Sequence, residues 1–215
     1  MYLLDNNSTE FPHPNLATED GLLAIGGDLS VERLKSAYRL GIFPWYCQGE
    51  PIMWYSPKWR MVIDPRHFKP SKSLKQTLKK NTFHITFNQA FDQVISNCKT
   101  IDRKDGLGTW ITNDMQEAYQ TLHSLGIAKS VEVWQEDQLV GGLYGIDQGH
   151  IFCGESMFSK VSNASKVAFA WLNQYLLNHD YQLLDCQVHN DHLESLGAYE
   201  IPREEFLTIL SKQNS

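Results

Sequence analysis

The 25 residues KSVEVWQEDQLVGGLYGIDQGHIFC, Lys129 to Cys153, decide the fold. They read as three strands, Lys129–Gln135, Leu139–Ile146 and His150–Cys153. Turns at Glu136-Asp137 and Asp147-Gln148-Gly149 join them into an antiparallel meander. Upstream, His84–Phe87 reads as a strand, and Asn88 as the cap of a helix bearing Phe91, Val94, Ile95 and Cys98. Asn113 with Gln116 resembles a capping box. It opens a helix ending at Gly126, with Met115, Ala118, Tyr119, Leu122 and Leu125 on its inner face. Downstream follow a helix at Ala164–Leu177, a strand at Gln182–Val188, a short capped helix at Asn190–Leu196 and a last helix entered by Pro202. This order predicts an α+β fold with a mixed, largely antiparallel sheet, and not a βαβ array.

The first 60 residues differ, being rich in turns and aromatic side chains. Gly26-Gly27-Asp28 forms a turn, Ser30 caps a helix over Val31–Leu40, and Gly41 ends it at C′. Ile42-Phe43-Pro44-Trp45-Tyr46 and Met53-Trp54-Tyr55-Ser56-Pro57 then place aromatic residues beside prolines. A boundary near residue 60 is expected, with a small N-terminal domain over residues 1–60 and a larger one over residues 61–215.

With 215 residues, 42% of them hydrophobic, and a formal charge of −6, the composition is globular. It excludes collagenous, disordered and coiled-coil classes. No run of 18 apolar residues occurs, and the opening MYLLDNNSTE has neither a basic nor an apolar leader segment, so a cytoplasmic protein without a membrane span is expected. The four cysteines stand far apart without a CxxC pair, which fits reduced core thiols. Nucleotide-binding, zinc-protease and serine-hydrolase motifs are absent, and the histidines have no metal spacing. No metal and no cofactor are expected.

The net charge hides a segregation. Lys58 to Lys80 contain eight basic side chains against Asp64 alone, +7, which leaves −13 elsewhere. After Ser71, a helix N-cap, Leu74 and Leu78 face inward while Lys72, Lys75 and Lys79 line an outer face. Such a face, with Lys80, suits a phosphate backbone as well as plain solvent.

Two segments can carry chemistry. On a strand, Leu183-Leu184-Asp185-Cys186-Gln187-Val188-His189 puts Leu184, Cys186 and Val188 on one face. Asp185, Gln187 and His189 then share the other, an acid, an amide and an imidazole in a row. In Phe152-Cys153-Gly154-Glu155-Ser156-Met157-Phe158-Ser159, a strand ends in an acid, and a polar loop leads to a helix N-terminus with free N–H groups. Trp45, Trp54, Tyr55 and Trp110 are loop aromatics able either to stack on bases or to plug a core.

Together these segments carry a resemblance. Gly21–Ser30, Ala37–Trp45, Gly108–Thr112, Phe152–Ser159 and Asp185-Cys186-Gln187 resemble the leucyl/phenylalanyl-tRNA–protein transferases, the bacterial N-end-rule aminoacyltransferases, in the family's order. Tyr55 departs, standing where the family often has a second tryptophan.

The resemblance implies a small N-terminal domain packed on a GNAT-like acyltransferase domain. It implies transfer of Leu, Phe or Met from aminoacyl-tRNA to proteins with N-terminal Arg or Lys, marking them for degradation. Trp45, Trp110, Tyr38 and Tyr119 would hold the terminal adenosine. Phe152, Met157, Phe169 and Leu172 would wall the aminoacyl pocket, and Lys72, Lys75, Lys79 and Lys80 would meet the tRNA acceptor stem. In the family account Asp185 polarises Gln187, whose carbonyl oxygen accepts a proton from the attacking amine. Because a carboxamide is a very poor base, a positional version is preferred in which Gln187 orients the amine and Asp185 stabilises the developing ammonium. Glu155 is a candidate for binding the acceptor's basic side chain. Independently of the resemblance, nothing in the sequence suggests a dimer interface, and a monomer is expected.

Two other readings stay open. A GNAT acetyltransferase using acetyl-CoA normally needs a glycine-rich pyrophosphate loop, and Ser159–Ser165 contains no glycine. A non-catalytic tRNA-binding module would account for the lysines and tryptophans but not for the Asp185/Gln187 row.

Overall fold

A computed structural model of the chain describes residues 2–101 and 110–212. The described chain begins with β1 (Tyr2–Leu4), β2 (Leu22–Gly26), α1 (Val31–Arg39), β3 (Phe43–Pro44), β4 (Met53–Tyr55) and β5 (Trp59–Ile63). It continues with α2 (Lys72–Lys80), β6 (His84–Phe87), α3 (Phe91–Thr100), α4 (Asn113–Ser124), β7 (Ala128–Gln135), β8 (Gln138–Asp147) and β9 (Ile151–Ser159). Then come α5 (Ala164–Asn178), β10 (Leu183–Gln187), α6 (Asp191–Glu194), β11 (Tyr199–Pro202) and α7 (Arg203–Ser211).

Among the described residues the strands form two sheets. A four-stranded sheet has the order β1-β2-β4-β3, and a seven-stranded sheet has the order β11-β5-β10-β9-β8-β7-β6. In the large sheet only the β9/β10 pair is parallel. The result is a mixed, largely antiparallel sheet in an α+β fold, as expected.

Alternating strand residues feed two cores, one on each face of this sheet. On β5, Met61 and Ile63 join a core with α2, α5 and Phe68, whereas Val62 joins a core with α1, α3, α4, α7 and the small sheet. A sheet covered on both faces explains why its strands read as apolar runs.

Caps set several helix starts. The hydroxyls of Ser30 and Ser71 accept from the N–H of Arg33 and Leu74, and Asn190 accepts from Leu193. Each such cap is worth about 1 kcal/mol. Gly41 ends α1 at φ +68°, as its C′ position requires.

Other local readings are corrected. Thr112, not Asn113, caps α4, and the Gln116 amide instead donates to Ser96. Asn88 has φ +64° and does not cap α3. The cap is tertiary: the buried Glu132 carboxylate of β7 accepts from the N–H groups of Gln89 and Ala90 and from Thr86 and Ser130. Leu78 and Leu125, expected to face inward, lie at the ends of their helices and are 39% and 57% exposed. The third meander strand continues to Ser159, so Glu155 to Phe158 are strand and not loop. Strands β5 and β11 were not expected: the first begins at the expected domain boundary, and the second is four residues between two helices.

Candidate active site

Two β-bulges build the site. On β8/β9, Tyr144 pairs with Ser156 but Gly145 with Gly154, so Glu155 is the extra residue. The bulge inverts the strand's alternation, which places Met157 in the α5-side core and Phe158 in the opposite one. Gly145 is required here, because a Cβ would lie 2.2 Å from the Cys153 carbonyl oxygen. On β10, Asp185 pairs with Val62 and Gln187 with Met61, which makes Cys186 the extra residue. Gln187 takes φ +65°, a left-handed conformation that a non-glycine residue holds only when its surroundings fix it. Val188 accordingly packs in the α1-side core and does not share a face with Leu184 and Cys186.

The parallel pairing of β9 and β10 reaches Asp185↔Cys153. Beyond it the strands are bridged by side chains, Gln187 Nε2 donating to Glu155 Oε1 at 2.8 Å. A cavity of about 610 Å³ opens there, lined by residues of both strands, α5 and the aromatic loops. Its walls include Phe43, Trp45, Trp110, Met157, Phe169 and Leu172, and its polar edge holds Glu155, Ser156, Asp185 and Gln187. Size and lining suit a small organic ligand with one reactive polar end.

Asp185 is 0% exposed and forms a bidentate pair with Arg60 of β5, at 2.8 Å to Nε and 2.7 Å to Nη2. Arg60 is 2% exposed, donates Nη1 to the Gly41 carbonyl, and lies between the rings of Phe43 and Phe206. Burial pulls its guanidinium down, but the Asp185 charge outweighs this and holds it above the ordinary arginine range. Asp185 Oδ1 also accepts from the Gln187 backbone N–H at 2.9 Å. Asp185 therefore acts on the backbone that aims Gln187. Its negative charge is already paired with Arg60.

Glu155 receives three groups: Tyr38 at 2.8 Å, Tyr119 at 3.2 Å and the Gln187 amide. Burial pushes its carboxyl up to about 8, against the downward pull of the Tyr38, Tyr119 and Gln187 hydrogen bonds. Burial also holds both phenols well above their ordinary values.

The expected site residues divide accordingly. Trp45, Trp110, Met157, Phe169, Leu172, Glu155, Asp185 and Gln187 come together around the cavity. Tyr38 and Tyr119 are 2% and 0% exposed, so their rings offer no face to a base. Phe152 is 2% exposed and sits under Gly145, away from the cavity wall, because the strand continues past it. His189 lies beyond the strand and pairs with Asp191. Two N–H groups at the N-terminus of α5 are taken: Ser159 Oγ accepts from the Ser165 N–H, and the Val161 carbonyl from Ala164. Gly108 and Thr109 lie outside the described residues.

Arg60 was not expected in the site, having been counted as part of the basic segment. A lone arginine leading the apolar run Met61-Val62-Ile63 was its signal. With Arg60 paired to Asp185, and Arg66 to Asp64, six lysines remain of the eight basic groups. Lys72, Lys75, Lys79 and Lys80 are exposed on α2.

The chain matches known proteins over nearly its whole length. Residues 62–211 match the family described as leucyl/phenylalanyl-tRNA protein transferase, and residues 27–58 match that family's N-terminal domain. A leucyl/phenylalanyl-tRNA–protein transferase of Flavobacterium psychrophilum is 59% identical over 94% of this chain and 96% of its own. One of Pectobacterium carotovorum is 55% identical over 99% and 90%. Among solved structures, FemX superposes with a TM-score of 0.54 at 11% identity, over 80% of this chain and 66% of its own, which bears on the fold alone. The fold resembles that of FemX, the chain is an aminoacyltransferase, and it belongs to the leucyl/phenylalanyl-tRNA protein transferase family.

Proposed function

We propose that this enzyme transfers Leu or Phe from the 3′ end of aminoacyl-tRNA to the N-terminal Arg or Lys of a protein, forming a peptide bond and marking that protein for degradation. The observation that carries this reading is the cavity between β9 and β10, apolar over most of its wall and closed at one edge by the Gln187–Glu155 bridge. Met157, Phe169 and Leu172 suit the apolar aminoacyl side chain. Trp45, 44% exposed at the rim, and Trp110 suit the adenine ring.

The chemistry is ester aminolysis. An α-amine titrates at about 7.7–8.0, so roughly a tenth is already neutral at pH 7. What the reaction then needs is the amine held about 3–3.5 Å from the ester carbonyl. With Nε2 of Gln187 committed to Glu155, Oε1 is the atom left to accept a hydrogen bond from that amine. The amine nitrogen bonds to the ester carbon, the bond to the 3′ oxygen breaks, and the proton lost by nitrogen balances the one gained by that oxygen.

Lys72, Lys75, Lys79 and Lys80 would take the acceptor-stem phosphates. Charged tRNA puts the reaction in the cytoplasm, with a monomer as the working unit. The division into a small domain over residues 1–60 and a catalytic one over 61–215 is part of the proposal, supported by the two separate family matches. The acetyl-CoA alternative is disfavoured by the lack of glycine in Ser159–Ser165 and by the two N–H groups already bonded at the start of α5.

The test is to incubate the protein with labelled Leu-tRNA and a peptide beginning with Arg. Label should reach the peptide, and RNase pretreatment should abolish this. Binding without transfer would favour a tRNA-binding module, and dependence on acetyl-CoA would favour an acetyltransferase.

A further inference from the structure

Tyr38 of α1, Tyr119 of α4 and Glu155 at the β9 bulge meet at one point. The Tyr38 hydroxyl lies 2.8 Å from Glu155 Oε1, the Tyr119 hydroxyl 3.2 Å from Oε2, and the two hydroxyls touch each other. Three oxygen-to-oxygen contacts thus close a ring, and each needs one proton. The two phenols supply two, since burial keeps both un-ionised near neutrality. An ionised Glu155 has none to give, so one contact would set lone pair against lone pair. A buried polar contact left without its proton is strongly disfavoured. A proton on Oε2 completes the ring: Glu155 donates to Tyr119, Tyr119 to Tyr38, and Tyr38 to Oε1, which still accepts from Gln187.

We propose that in the empty enzyme Glu155 is a neutral carboxylic acid, closed into a hydroxyl ring with Tyr38 and Tyr119, and that it gives up this proton when the cationic N-terminus of an acceptor enters beside Gln187. The second half rests on the function proposed above.

The surrounding charges favour this. From β10 comes Asp185, whose charge is matched by Arg60 of β5. On β9, the Cys153 thiol is held neutral by burial, and on β8, Tyr144 packs edge-on against Tyr119. No cation among these groups is left over to balance an ionised Glu155. Burial, with the nearby Asp185 charge, pushes its carboxyl up to about 8 despite the hydrogen bonds from Tyr38, Tyr119 and Gln187. An arriving ammonium or guanidinium reverses the preference, because an opposite charge within a few ångströms favours the ionised form. The proton leaves to solvent before any bond forms, so the aminolysis that follows keeps its own balance. A site that must admit a polyanion is thereby spared a lone negative charge until the cation arrives.

The test has two arms. In protein labelled with ¹³C at the Glu carboxyls, the signal absent from Glu155→Gln should titrate with a midpoint about 8. Tyr38→Phe, which opens the ring at the same carboxyl, should shift the midpoint of this signal and so identifies it independently. Titration calorimetry of a peptide beginning with Arg, at pH 7 in two buffers of different ionisation enthalpy, should then show close to one proton released per peptide bound. A carboxyl that titrates in the ordinary acidic range overturns the proposal, as does peptide binding without proton release. A peptide that does not bind contradicts the acceptor reading instead, and the carboxyl titration still decides the resting state of Glu155.

Discussion

Asp185 is the residue whose neighbours most change its meaning. On the strand it reads as an acid offered to substrate, yet the fold buries it against Arg60 and sets its oxygen on the Gln187 backbone. Breaking such a buried pair from one side costs about 3–5 kcal/mol. Arg60→Met should therefore lower unfolding stability by about that much in denaturant titrations. Asp185→Asn should depress single-turnover transfer while leaving aminoacyl-tRNA binding nearly intact. Equal loss of transfer and binding would remove Asp185 from the aiming of Gln187. Glu155 gives a pH signature. Its carboxyl is raised to about 8 in the folded protein against 4.5 as its ordinary value. The folded state therefore holds the proton more tightly, and the stability due to this group is full below pH 4.5 and is lost as pH rises toward 8. Glu155→Gln should flatten the fall in stability between pH 5 and 8; an unchanged slope would mean that Glu155 is already ionised across this range.

At the scale of elements, the meander and the helices around it were legible because period-two and period-3.6 patterns survive in single segments. The bulges were not, since a bulge is a mismatch between two strands and neither strand shows it alone. Glu155 and Gln187 sit at or beside such mismatches, so their types were readable from the sequence and their partners were not. Tyr38 and Tyr119 went astray for the same reason. Aromatic residues near a suspected site read as stacking surfaces, whereas their hydroxyls join Glu155 across 117 and 36 residues of chain. Arg60 was lost to an average, counted with surface lysines although its strand is apolar. The bulge account is itself testable at Gly145. A methyl group there meets the Cys153 backbone 2.2 Å away. Gly145→Ala should destabilise the protein by about 1–3 kcal/mol and slow transfer; unchanged stability and rate would show that β8 and β9 do not need this close approach.

Over the whole molecule, charge and cavity divide the substrate between them. The exposed lysines of α2 form a cationic strip on a protein of net charge −6, so binding of aminoacyl-tRNA should weaken steeply between about 50 and 200 mM salt. Replacing Lys72, Lys75 and Lys79 by Ala should lower the salt slope by about one for each phosphate contact removed. A flat wild-type affinity would show that the strip meets only solvent. The cavity decides the donor: Leu and Phe are unbranched at Cβ, so Ile-tRNA and Val-tRNA should be poor donors, and efficient transfer from either would contradict a narrow entrance. The central claim is that the Gln187 amide, held by Glu155 at the mouth of the β9/β10 gap, presents the amine to the ester. Single-turnover transfer of Leu from Leu-tRNA to a peptide beginning with Arg, compared between wild type and Gln187→Met, tests this directly. The variant should fold and bind aminoacyl-tRNA yet transfer about 10²-fold or more slowly, the range expected when one positioned polar group is lost. Transfer at the wild-type rate by Gln187→Met would contradict it.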